Sequence, residues 1–341
     1  MKKLFFSAAA VLLTTLVVQA QINTRTDTVI AAPVPYTAYG PQFNWSKGYY
    51  VAEIKPGTGV YWVTEGSHQV MFMTTGKGVV VVDASPIFGD KISRAIAEVT
   101  KEPVTHLIYT HYHADHIAGA YQFPKGIKII SSEGIKNRLR ELQSGQREVP
   151  FGTFVGGKPV ELPTGTFKNN YVLKVGNKTI ELQVLAASHT HSDVAVYLPK
   201  EKILNAVDFV WAGWIPFDGL GEAEDLNGYL AVQERLLQFD WDVMVGGHVG
   251  RLANRQDVET NITYINDVKN AVMKALQTTD YMAAAKKAGF SNTFLTVETY
   301  FDMVAHAASK EVEAKWVGKL AGADVWTYNN CRRMMMWLRL N

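Results

Sequence analysis

The chain has 341 residues, 47% of them hydrophobic, with 34 Lys and Arg against 32 Asp and Glu. That length and apolar content supply one large core, while the near-neutral balance offers no basic surplus for a phosphate backbone and argues against nucleic acid as a partner. The single cysteine, Cys331, cannot form an internal disulfide, so packing rather than covalent staples must hold the fold.

Residues 1–20 read as a secretory signal peptide. Lys2 and Lys3 give a charged start, residues 4–18 an apolar core, and Val18-Gln19-Ala20 the small-residue setting of a cleavage point. The mature chain is expected to begin near Gln21, in a periplasmic or secreted location, with residues 21–45 as an N-terminal extension. The apolar run is short for a full span and no other segment approaches that length, so no stable membrane span is expected after cleavage. Losing Lys2 and Lys3 leaves 34 − 2 = 32 basic residues against 32 acidic ones.

Four short runs rich in β-branched and aromatic residues follow, at 49–54, 60–63, 69–73 and 79–82, separated by Gly-containing turns. The last, Val79-Val80-Val81-Val82, is apolar on both faces and predicts a central strand covered on both sides. Asp90 has the place of an N-cap for a helix through Ile92, Ile96 and Val99. Strands are expected at 107–109 and 127–130 and a polar helix at 133–142. Residues 143–170, with many Gly, Pro and Thr, predict a long irregular loop. Segments 172–175 and 179–185 flank Gly176-Asn177, a hairpin signal. Further strands are expected at 194–198, 203–205 and 243–245, with a helix at 225–239. From about Asp257 the pattern is helical except for the last few residues. Two β-then-α blocks imply two packed sheets with helices outside.

The densest chemistry lies in Thr110-His111-Tyr112-His113-Ala114-Asp115-His116, directly after the apolar run Leu107-Ile108-Tyr109. At the end of an extended segment residues i and i+2 face the same way, so His111 and His113 can chelate one ion. Asp115 and His116 fall where the chain turns and are free to reach a second. Imidazole and carboxylate without thiolate suit zinc, with iron, manganese or nickel as alternatives. His189, Asp208 and His248 each sit just past an apolar run, where loops at one sheet edge can gather them.

This arrangement resembles the metallo-β-lactamase-fold hydrolases, whose members carry His-x-His-x-Asp-His, then a His in a His-Thr context, a bridging Asp and a final His. The resemblance covers roughly residues 51–248 and extends to the strand-Asp segment ending in Asp83. It implies an αββα sandwich, here an α/β (α+β) domain over 46–255 with a helical C-terminal region, 256–341, packed on it. It also implies two zinc ions per chain, or iron or manganese, with His111, His113 and His189 on one and Asp115, His116 and His248 on the other. Asp208 would bridge both. Metallo-β-lactamases proper usually place Cys or Ser around this position, whereas thioesterases, lactonases and phosphodiesterases of the fold use Asp; this chain reads Val207-Asp208-Phe209.

The function expected is therefore hydrolysis of a carbonyl ester, thioester or lactone of a small molecule by a hydroxide bridging two metals, with Asp115 or Asp208 moving the proton. A β-lactamase, a phosphodiesterase and a non-catalytic metal-binding protein are the alternatives, and a homo-oligomer is compatible with the C-terminal helices. Among the other candidates, Asp83 reads as a supporting carboxylate, and His191 and Tyr112 as pocket residues or loop packing. Trp211, Trp214 and Phe217 read as an apolar wall or core. His68 reads as a hairpin residue or one on the substrate side of the site, and His106 and His306 as structural.

Overall fold

The computed structural model describes residues 45–145, 148–290 and 292–341, so the signal peptide and nearly all of the N-terminal extension expected from the sequence lie outside the described residues. A seven-stranded sheet forms first, from β1 (Tyr50–Glu53), β2 (Val60–Thr64), β3 (Gln69–Thr74), β4 (Val79–Val82), β5 (Val104–Ile108), β6 (Lys128–Ser132) and β7 (Gly165–Phe167), paired in chain order. The first four strands run antiparallel through tight turns. From β4 onward the pairs are parallel, and parallel neighbours need a crossover. Those crossovers are α1 (Lys91–Val99), the single turn α2 (Ala114–Ile117) and α3 (Glu133–Leu142).

The second sheet has five strands in the order β12-β11-β10-β9-β8, made of β8 (Asn170–Val175), β9 (Lys178–Val184), β10 (Val194–Leu198), β11 (Ile203–Asn205) and β12 (Val243–Val245). Its β8–β9 hairpin turns at Gly176-Asn177, where Gly176 has φ 52°. All of β10 is buried, and its side chains divide by strand alternation: Val194, Val196 and Leu198 join the core between the sheets, whereas Ala195 and Tyr197 join a second core on the other side. Burial of each such Val, Leu or Ile contributes about 1.5–3 kcal/mol.

That second core is roofed by α5 (Leu226–Leu236), α6 (Arg255–Thr278), α8 (Thr293–Trp316) and α9 (Ala323–Leu340), while the short α4 (Asp218–Gly221) leads into α5 and α7 (Tyr281–Lys287) links α6 to α8. Helices α1 and α3 cover the far face of the first sheet, completing an αββα sandwich with a helical C-terminal region. Cys331 is buried in the second core.

Three local expectations differ from the structure. Asp90 occupies the N-cap of α1 without capping it, its carboxylate turning instead toward Arg94 at 3.7 Å. Helix α9 continues to Leu340 rather than ending early, because Met334 and Met335 are buried and Trp337 and Leu338 still pack on the second core. Residues 143–170 are irregular for most of their length but include β7 at the sheet edge. No helix among the described residues is long and apolar enough to cross a membrane.

Candidate metal centre

The motif residues leave β5 in an extended stretch that a buried carboxylate fixes. Asp83, at the end of β4 with φ 62°, accepts from the Thr110 backbone N–H (2.8 Å) and from the Thr110 hydroxyl (2.6 Å). With its proton committed to Asp83, Thr110 Oγ1 accepts from His111 Nδ1 at 3.1 Å, and His111 Nε2 keeps its lone pair for the cavity. Burial pushes the Asp83 carboxyl up to about 7. The chain then enters α2 with His113 as N-cap, and this one turn presents Asp115 and His116 beside the two preceding imidazoles.

The second sheet supplies the rest. His189 lies in the loop after β9, where Asp193 accepts from the Thr190 N–H (2.8 Å), the Thr190 hydroxyl (2.6 Å) and the Ser188 hydroxyl (2.9 Å). His189 Nδ1 donates to the Gly221 carbonyl at 2.9 Å, which leaves Nε2 directed inward. The segment carrying Gly221 is tied to α9: Asn330 accepts from the Leu220 N–H at 2.5 Å and donates to the Pro216 carbonyl at 3.0 Å. Asp208 follows β11 in a left-handed conformation, φ 64°, and His248 follows β12. Between them the approach is so close that a Cβ on Gly247 would stand 2.1 Å from Asp208 Oδ1, so only glycine fits.

The seven residues singled out in the sequence come together, and they come in two groups. His111, His113, His189 and Asp208 form one; Asp115, His116 and His248 form the other together with His68, each group with its donor atoms within 4.8 Å of one another. His189 Nε2 and His113 Nδ1 are 2.9 Å apart, and His116 Nε2 and His248 Nε2 are 3.1 Å apart. Asp208 stands between the groups: Oδ2 is 3.0 Å from His116, 3.4 Å from His189 and 3.6 Å from His111, while Oδ1 is 3.4 Å from His248.

Electrostatics shift the groups of the cluster in opposite directions. Burial and the neighbouring His116 hold His111 well below the usual imidazole range, and burial with His189 lowers His113 to about 4. Burial opposes ionisation of Asp208 and Asp115, but the imidazoles around them win and both carboxyls lie far below their ordinary range. Against its own burial, His116 is raised well above normal by Asp208 and Asp115. Two ionised carboxylates around converging imidazoles form a nest for cations. The buried atoms His111 Nε2, Asp208 Oδ1 and His68 Nε2 have no hydrogen-bond partner among the described residues, which fits atoms able to serve as metal ligands. The donor set fits a dinuclear site of imidazole and carboxylate.

Residues 63–248 match the family model described as the metallo-beta-lactamase superfamily. The chain belongs to that superfamily. A 2,4-dinitroanisole O-demethylase alpha subunit from Nocardioides sp. is 25% identical over 244 residues, covering 67% of this chain and 64% of its own length. A type 2 metallo-beta-lactamase from Bacillus cereus is 29% identical over 161 residues, 46% of this chain and 52% of that protein. The chain thus spans between about half and two thirds of the curated relatives it matches. Among solved structures, a metallo-beta-lactamase from Pontibacter korlensis superposes with TM-score 0.51 at 22% identity, over 63% of this chain and 97% of that one. A sec-alkyl sulfatase, PisA1, gives 0.53 at 15% identity over 87% of this chain and 52% of that one. These structural likenesses speak for the fold.

Around this metallo-beta-lactamase-type centre the remaining candidates take definite places. Tyr112 donates to Glu224 at 2.5 Å, and His191, largely exposed, also meets Glu224. Trp211 lies nearly parallel to the His248 ring at 6.2 Å, while Trp214 and Phe217 turn toward Trp326 of α9. His106 contacts Thr105 within β5, and His306 packs on Tyr328; neither belongs to the two donor groups. A cavity of about 600 Å³ adjoins His113, lined among others by Tyr112, Arg138, Phe151, Phe154 and Glu224. Glu224 and Arg138 carry no sequence signal for this site, since they sit in loop and helix contexts without a motif. His68, in the turn before β3 and placed from the sequence either in the hairpin or on the substrate side of the site, turns its ring into the second group; the one local signal is Glu65, a carboxylate three residues earlier.

Proposed function

We propose that this chain is an exported dinuclear metal-dependent hydrolase that cleaves a carbonyl ester, thioester or lactone of a small molecule. The observation that carries the reading is Asp208, whose two oxygens face imidazoles of both groups in a position without thiol or hydroxyl. Two divalent ions, zinc in the simplest case, would supply an activated water at neutral pH and Lewis-acid polarisation of the carbonyl. His111, His113 and His189 would hold one, Asp115, His116 and His248 the other, with Asp208 shared between them.

The chain's own groups then do the positioning. Asp83 and Thr110 keep His111 in the tautomer that leaves Nε2 free, and Gly221 does the same for His189. Asp115, 30% exposed at the open side of the cluster, turns Oδ2 toward His116 and His248, and the other oxygen of its carboxylate would accept the proton of the attacking water and return it to the departing oxygen or sulfur. The cavity beside His113 suits a substrate with an apolar acyl or aryl part, since Phe151 lines it and Phe154, 90% exposed, stands at its rim. Lys2, Lys3 and the apolar run 4–18 support export.

A panel of esters, thioesters, lactones, β-lactams, phosphodiesters and an aryl methyl ether, run on zinc-loaded protein, tests the reading. Turnover of a carbonyl ester class above the others supports it. Similarity to type 2 metallo-beta-lactamases makes β-lactam opening the second reading, and preferential β-lactam turnover would replace the first. Export is checked by sequencing the N-terminus of protein recovered outside the cytoplasm, expected at or near Gln21.

A further inference from the structure

His68 lies at the start of β3's pairing with the second sheet, where it forms an antiparallel bridge with His248. The bridge is tight: Gln69 N–H donates to the Gly247 carbonyl (2.8 Å), Val249 N–H to the Ser67 carbonyl (2.9 Å), and the Gln69 side-chain amide to the His248 carbonyl (2.7 Å). Both histidines are therefore fixed to one another by backbone, and their rings lie 4.5 Å apart. His68 is 88% buried, its side chain being 12% exposed.

The two ring nitrogens face different partners. Nδ1 meets Ser67 Oγ at 2.9 Å and Glu65 Oε1 at 3.3 Å, and Glu65 Oε1 also accepts the His68 backbone N–H at 2.7 Å. A carboxylate on that side places the proton on Nδ1 and leaves a lone pair on Nε2. Nε2 points into the outer donor group, 3.5 Å from Asp115 Oδ2, buried and without a hydrogen bond among the described residues. An imidazole oriented by a carboxylate through one nitrogen, with the other bare and aimed at converging donors, is the arrangement by which proteins hold metal ligands.

Resting on the dinuclear reading above, we infer that His68 is a further ligand of the second metal, so that this ion has His68, Asp115, His116 and His248 as its own donors in addition to the shared Asp208. The two ions are then unequal. Four terminal protein donors exceed what a tetrahedral ion with an open position uses, so the second site favours a five- or six-coordinate ion and the first a four- or five-coordinate one. Glu65 is the positioning residue for this ligand.

The test is stepwise addition of cobalt to metal-free protein, read by visible absorption, with His68→Ala, His68→Gln and Glu65→Gln beside wild type. Both His68 variants are expected to weaken the second equivalent by at least about 10-fold, the scale set by loss of a ligand's supporting partner alone, and to raise its molar absorption as coordination number falls. Glu65→Gln is expected to give a smaller change in the same direction. Independently of any variant, wild type loaded with NMR-active cadmium should show scalar coupling from the metals to six imidazoles, His68 included. Five coupled imidazoles without His68, or folded His68 variants with wild-type affinity and spectrum, would overturn the inference. Ester turnover is not read in either experiment: a chain that binds both ions through His68 but hydrolyses no ester refutes only the proposed function, and an active two-metal chain without His68 coupling refutes only this assignment.

Discussion

The inner group, His111, His113, His189 and Asp208, and the outer group, His68, Asp115, His116 and His248, use the same side chains but differ in how the fold supports them. In the inner group His111, His189 and Asp208 are 1–3% exposed, and the two imidazoles are oriented by Thr110 and the Gly221 carbonyl. In the outer group His248 and Asp115 are 24% and 30% exposed, although His116 is 1% and His68 12% exposed; His68 and His248 share a β-bridge, while Asp115 and His116 come from α2. A ligand set locked by outside partners loses little freedom when it binds, whereas an open one exchanges more readily. On this contrast, an ion held beside the exposed Asp115 and His248 is expected to exchange more readily than one held beside His111 and His189.

Breaking the junction should have the largest effect. Asp208→Ala removes the carboxylate whose two oxygens face imidazoles of both groups, and hydrolysis is expected to fall more than about 1000-fold with both metal equivalents weakened, because the activated water and carbonyl polarisation both depend on the pair of ions; metal analysis after dialysis checks it. Next, His113→Ala and His248→Ala separate the groups. The first should lose the tightly held equivalent and the second the labile one, each with activity down more than about 100-fold, beyond the range of outer-partner changes. Mild chelation of wild type should likewise strip one equivalent well before the other. Asp193→Asn acts one step further out, on the loop of His189: inner-site affinity is expected to drop about 10–100-fold while the outer site is unchanged. Smallest of all, His306→Ala lies on the exposed face of α8 against Tyr328 and should leave metal content and turnover alone, with stability within about 0.5 kcal/mol.

The inner group was largely legible in the sequence because each donor follows an apolar strand, and strand periodicity with a turn after it predicts where such residues gather. The central position of β4 was legible for the same reason, since a strand of four valines has no face for water. His68 was not. Its role depends on a bridge to His248 at the far end of the domain, and nothing within the hairpin reveals which distant strand will lie alongside. The helical C-terminus was readable as helix, but its service to the site was hidden: Asn330 acts through backbone groups of Leu220 and Pro216, which have no side-chain signature. Likewise Asp90 looked like a cap, and only its orientation toward Arg94 shows that the helix begins without that bond.

In the proposed function, two unequal metal ions carry one hydrolytic activity. This is tested most directly by measuring metal content and ester turnover on one sample during graded chelation and re-addition. Turnover is expected to disappear with loss of the first, labile equivalent and to return when that equivalent is restored, the inner ion remaining bound throughout. Undiminished turnover in protein stripped of both ions would contradict it.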